Sequence, residues 1–256
     1  MKAAAGVPVR DSNSGNSDSS SALYSAMEIL IVELNETAGN IEYTESESTI
    51  MPYDLKELNA KLNKAYKNLL GEYDLFARIN SRVKPAIISK TLSGMHITGV
   101  YSFFTGEANV NVDFPDYHLP FVSAHEMAHL MGVGREDEAN FAAFLVCLHS
   151  DDDYIRYSGL INMISYIGNA LAGTDRERYR EIMRDIPDVV IHEWQAYSRF
   201  FDKYRDTQVS KVASSANNTY LRAQGQQEGV KTYGFVVDLS VVYLIDLYVN
   251  SQGDIS

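Results

Sequence analysis

The chain has 256 residues, 45% of them hydrophobic, enough to bury one sizeable core. Its 34 Asp and Glu against 22 Lys and Arg leave a net charge of -12, which argues against nucleic acid or an anionic membrane as a partner. A single cysteine, Cys147, excludes an intramolecular disulfide, and no uncharged apolar run approaches the roughly 18 residues needed to span a bilayer.

Residues 1–20 are rich in Ser, Asn, Asp and Gly and lack the apolar core of a signal peptide, so they read as a flexible lead. Residues 21–256 read as a single domain expected to be soluble, with a sheet and motif helices in 21–149 and a helical part in 150–256. Helical apolar spacing predicts a helix over 22–34. A stronger amphipathic helix is predicted over 54–70, capped by Asp54 and stopped by Gly71. From 86 to 112 the pattern changes to β-branched residues punctuated by glycine, which predicts a small sheet with strands at 86–90, 97–101 and 108–112. An edge strand of that sheet beside the next helix would suit an extended peptide, and Glu107 and Asn109 are the candidate substrate contacts.

An apolar run then leads into His125-Glu126-Met127-Ala128-His129. Two histidines four apart lie on one face of a helix, one turn from each other, so both imidazoles can reach a single metal ion. Glu126 is placed to act as general base on a water that the metal acidifies, and to hand the proton on to a leaving amine. Zinc needs a third protein ligand while keeping one position open. Gly132 and Gly134 can end the helix, and a second helix is predicted over 135–148. On it Glu136 is the preferred third ligand, with Glu138 and then Asp137 as alternatives. Asn140, one turn beyond Glu136, is the candidate to orient a ligand histidine.

After Ser150 the pattern is almost entirely helical, with helices predicted over 153–171, 175–184, 189–204, 208–222 and 228–249. The run Asp151-Asp152-Asp153 lacks the alternating ligands and glycine of a calcium loop and reads as helix capping. Cys147 reads as a small core residue. Hydrolysis through a tetrahedral intermediate benefits from a donor aimed at the oxyanion. Tyr220, Tyr233 and His192 are the candidates, and Tyr233 is preferred. The fold class expected is α+β, predominantly helical, with the small sheet beside the motif helix.

The motif with Glu136-Asp137-Glu138-Ala139-Asn140-Phe141 resembles the gluzincin metallopeptidases. The segment from Phe104 to Asn111 ahead of it, and Lys231-Thr232-Tyr233-Gly234 with Val237-Asp238-Leu239 behind it, resemble the bacterial DUF3810 family, over most of residues 22–249. The resemblance implies a zincin-like fold, one zinc ion per chain and a peptide or protein substrate. It also implies an extracytoplasmic place in the bacterial cell envelope, behind an upstream membrane anchor. Two features depart from the gluzincin pattern: Asn140 stands where many members have Asp, and the interval from His129 to Glu136 is short. A metzincin pattern is excluded, because its third-ligand position falls on Arg135, a permanent cation. The leading expectation is a zinc-dependent peptidase. The alternatives are a catalytically silent metal-binding or peptide-recognition module of the envelope and a purely structural helix.

Overall fold

A computed structural model describes residues 15–44, 48–72, 80–204 and 233–253. The architecture is α+β and predominantly helical. In chain order the elements are α1 (Gly15–Ala38), α2 (Leu55–Glu72), β1 (Val83–Pro85), α3 (Ser89–Gly94), β2 (Gly99–Ser102) and β3 (Glu107–Val110). A 3-10 turn (Asp116–His118) then precedes α4 (Leu119–Leu130), α5 (Glu136–Leu148), α6 (Asp153–Thr174), α7 (Arg176–Ile182), α8 (Asp188–Asp202) and α9 (Tyr233–Gly253). The expected helix over 208–222 lies outside the described residues.

The core forms where helices with wide apolar faces meet. α6 is buried nearly all round, from Tyr154 through Ile161 and Ile164 to Leu171, as a helix without a polar face must be. It packs chiefly against α1 and α5, and α9 closes the far side against α1 and α5. α1 supplies Met27, Leu30 and Leu34, all without solvent exposure. It begins at Gly15 and so takes in the last residues of the segment read as a lead. α2 buries one stripe, Leu58, Leu62, Tyr66 and Leu69, at the spacing its sequence predicts. Asp54 caps it by accepting a hydrogen bond from the Glu57 N–H (2.8 Å). Asp152 caps α6 in the same way through the Ile155 N–H (3.1 Å), which is the role the acidic run suggested.

The sheet has the order β1-β3-β2, with β1 parallel and β2 antiparallel to β3. Two of its strands lie within a residue or two of their expected positions. The strand expected at 86–90 does not form: the chain pairs earlier, at Val83–Pro85, and then turns into α3. The partner strand ends at Val110, so Ile87 and Ile88 have nothing to pair with and are exposed despite their β-branched side chains. The outer edge of β1 is closed by α2. The Asn59 side chain accepts from the Val83 N–H (2.8 Å) and donates to the Val83 carbonyl (3.0 Å). Asn63, one turn on, does the same for Ser81 (3.0 and 2.6 Å). Two amides thus stand in for a neighbouring strand, leaving β2 as the edge without a pairing strand among the described residues.

α8 is tied to the α1–α2 connection by a buried carboxylate. Glu193, 1% exposed, accepts hydrogen bonds from the Thr49 N–H (3.0 Å) and hydroxyl (3.1 Å). Burial pushes its carboxyl up to about 7, against the opposing effect of those hydrogen bonds. The folded state therefore holds a proton that the unfolded state releases near its ordinary value of 4.5. The group's contribution is full below that value and falls as pH rises towards about 7. Glu193→Gln cannot titrate, so urea unfolding over this range should show wild type losing up to about 3 kcal/mol relative to the variant. A pH-independent difference between the two would show that Glu193 keeps its ordinary value in the folded state.

Candidate metal centre

α4 is fixed before it presents any functional side chain. Pro120 lies in its first turn, where the missing N–H costs nothing, and the Phe121 N–H is taken by the Ser158 hydroxyl of α6 (3.1 Å). The Tyr66 hydroxyl of α2 donates to the Ala124 carbonyl (2.6 Å), one residue before the first motif histidine. The helix stops where Gly132 adopts φ +96°, a left-handed conformation that glycine enters without a Cβ clash. Gly134 does not share that conformation, so the break rests on one glycine. Arg135 is the N-cap of α5, and Glu136 its first residue.

This turn brings the two helices together so that Glu136 meets both imidazoles. His125 Nε2 lies 3.1 Å from Glu136 Oε2 and 3.1 Å from His129 Nε2, and His129 Nε2 lies 3.6 Å from Glu136 Oε1. The ligand atoms of the three residues fall within 4.8 Å of one another, and no other such group of His, Cys, Asp or Glu occurs among the described residues. Tetrahedral zinc with bonds of about 2.05 Å would separate neighbouring ligand atoms by about 3.3 Å, close to these distances. His125, His129 and Glu136 could therefore hold a metal ion.

The alternatives at the third position point elsewhere. Asp137 is buried in an ion pair with Arg135 (2.6 Å) and accepts the Glu138 N–H (2.9 Å). Glu138 is half-exposed, 3.7 Å from the Arg135 guanidinium. Burial would push the Glu136 carboxyl up, but hydrogen bonds from His125 and His129 outweigh it and hold the group well below the ordinary carboxylate range. Burial likewise opposes protonation of His129, and its bonds to Glu136 and the Val133 carbonyl overcome that and raise its pKa.

Glu126 sits apart from this ion pairing. It is 4% exposed, and its Oε2 has no hydrogen-bond partner. Burial pushes its carboxyl up to about 7. The space it occupies exists because β2 carries glycine at position 99: a Cβ there would lie 2.3 Å from Glu126 Oε1. β2 also contributes Tyr101, whose ring stacks on His129 at a centroid distance of 5.8 Å and an interplanar angle of 19°.

The other expected site residues are placed differently. The contact assigned to Asn140 is made by the backbone: His129 Nδ1 lies 2.7 Å from the Val133 carbonyl, and the buried His125 Nδ1 has no partner. The turn folds Val133 back over the end of α4, where its N–H donates to the Ala128 carbonyl (3.1 Å), and Asn140 is half-buried on α5. Glu107 and Asn109 lie on β3, the central strand, whose two flanks are both paired. Glu107 is exposed and ion-paired with Lys84, which holds its carboxyl below the ordinary value. The edge strand beside the motif helix is β2, not β3. Tyr233 opens α9 but its side chain, like the whole of Tyr220, lies outside the described residues. His192 is half-buried in α8 and does not belong to the group above.

No described helix is long and apolar enough to cross a membrane. The family model described as "Protein of unknown function (DUF3810)" matches residues 9–241. No curated protein and no solved structure matches the chain.

Proposed function

The chain belongs to the DUF3810 family, whose function is undefined, and from that premise we propose that it is a zinc-dependent peptidase with a zincin-like, gluzincin-type site. The observation that carries the proposal is the convergence of His125, His129 and Glu136 beside a carboxylate, Glu126, that no ion pair or hydrogen bond occupies at Oε2. The two histidines and Glu136 would hold the ion, and the family's envelope setting would supply its peptide or protein substrates. When bound, zinc supplies Lewis acidity, lowering the pKa of water towards 7 and polarising a carbonyl.

The chain's own residues do the remainder. Glu126 Oε2 accepts the proton of the attacking water and returns it to the leaving amine, so that one group serves as base and then acid. The Val133 carbonyl and the Tyr101 ring hold His129 in one orientation. An extended peptide lies along the outer edge of β2, where main-chain N–H and C=O groups have no pairing strand among the described residues. On this reading the scissile bond lies at the outer edge of β2, next to the metal ligands.

The burial of Glu126 favours a second reading, a metal-binding module that recognises peptides without cutting them. One experiment separates the two. The zinc-supplemented protein is incubated with a degenerate peptide library and the products are read by mass spectrometry. Cleavage that stops with a chelator and returns with zinc supports the peptidase; a library left intact while zinc stays bound supports the silent module.

Gly99 offers a second check. In Gly99→Ala the new methyl group displaces the Glu126 carboxylate, the flexible partner in the clash. Hydrolysis should fall about a hundredfold, as displacements near 1 Å do, with zinc content and unfolding temperature unchanged. An unaltered rate would mean that the position Glu126 takes against β2 is not the one used in hydrolysis.

A further inference from the structure

On the outer face of α2, away from the metal centre, a groove of about 450 Å³ runs between that helix and the chain entering β1. Lys64, Lys67, Arg82, Asn80 and Ser81 line it, and among the described residues no carboxylate does. In a chain of net charge -12 this is a local reversal of sign. Lys64 reaches Asp151 at 2.8 Å, whereas Lys67 and Arg82 form no ion pair among the described residues.

Ser81 supplies an independent observation. It is 5% exposed, and its backbone N–H and carbonyl are both held by Asn63. Its hydroxyl oxygen nonetheless has no hydrogen-bond partner. A buried hydroxyl costs free energy unless something satisfies it, and here it belongs to a residue that lines the groove, on a backbone already fixed in place. The hydroxyl is closed to water, so a ligand in the groove gains that donor once the side chain rotates towards it, on a backbone that is already ordered.

We propose that this groove binds a phosphate-bearing ligand. Lys67 and Arg82, with Lys64 already paired to Asp151, match the double charge of a phosphate monoester better than the single charge of a carboxylate. Arg82 presents a planar fork suited to two phosphate oxygens, and the lysines act as point charges. The Asn80 amide, and the Ser81 hydroxyl once rotated towards the groove, add neutral donors. The groove's volume suits a small phosphorylated molecule or the headgroup of a phospholipid.

The test titrates the zinc-supplemented full chain with glycerol 3-phosphate by calorimetry, beside the double variant Lys67→Ala/Arg82→Ala and the single variant Ser81→Ala. Vesicles of phosphatidylglycerol and of phosphatidylcholine are run in parallel by flotation. Saturable binding is expected, weakened at least about tenfold in the double variant and about threefold in Ser81→Ala. The altered cations are exposed, so unfolding temperature should stay at the wild-type value. Flotation that requires phosphatidylglycerol and the same two cations identifies a lipid source. Binding of glycerol phosphate without flotation identifies a free ligand, and either upholds the proposal. Failure of both probes to bind overturns it, as does binding the double variant leaves unchanged, because the anion would then sit elsewhere, for example at the metal centre.

Discussion

Glu126→Gln is expected to lower kcat for peptide hydrolysis by at least about a thousandfold, within the range that positioned proton transfer contributes, while zinc still binds and the protein still folds. Glutamine matches glutamate in size and fits the space left by Gly99, but its amide cannot take the proton of an attacking water. Because burial pushes the wild-type carboxyl up to about 7, a neutral amide avoids the cost of burying a charge there, and the stability of the metal-free protein should hold near neutral pH. KM should change little, since the group acts on water and not on the peptide. A variant that cleaves at the wild-type rate would remove Glu126 from the chemistry and return the second reading to the front.

Removal of the third ligand should have the other large effect. In Glu136→Gln the carboxylate whose two oxygens face the two imidazoles is replaced by an amide, a far weaker zinc ligand, and bound zinc should fall below about a tenth of an equivalent. The consequence for stability follows from mass action. Zinc present at about a thousand times its dissociation constant stabilises the folded state by about 4 kcal/mol, or roughly 8–16 °C in unfolding temperature for a chain of this size. Chelation should lower the unfolding temperature of wild type by that amount and leave the variant unmoved. Equal shifts in both proteins would place the metal away from Glu136.

What could be read from the sequence was whatever depends on side-chain type at a fixed helical interval. His125 and His129 had to share a face, Gly132 and Gly134 could end the helix, and a carboxylate at the start of α5 could return to them. The preference for Glu136 over Glu138 and Asp137 rested on helix phase, which one residue of slip would exchange; in the structure Glu136 meets both imidazoles, while Asp137 is drawn to Arg135. The contact that orients His129 was hidden for a different reason. It comes from the Val133 carbonyl, and backbone atoms leave no mark on residue identity.

The sheet shows the same limit. The β-branched run at 86–90 carried a strand signal, yet strand formation needs a partner, and β3 ends before it. Strand order is a long-range property, so Glu107 and Asn109 were readable as strand residues but not as members of the central strand. Gly99 did leave a trace: a glycine inside a β-branched run often marks a close approach, and here the approaching group is the Glu126 carboxylate. The amide pairs of Asn59 with β1 and of Asn63 with the chain entering it explain why α2 carries asparagine at two positions one turn apart in an otherwise good helix-forming sequence.

The claim on which everything else depends is that the three side chains bind zinc. Elemental analysis of protein purified without added metal or chelator, run beside His129→Ala, tests it most directly. The account predicts about one zinc per wild-type chain and a loss of that metal in the variant. Wild-type protein that carries no metal, and takes up none when zinc is offered, would contradict it.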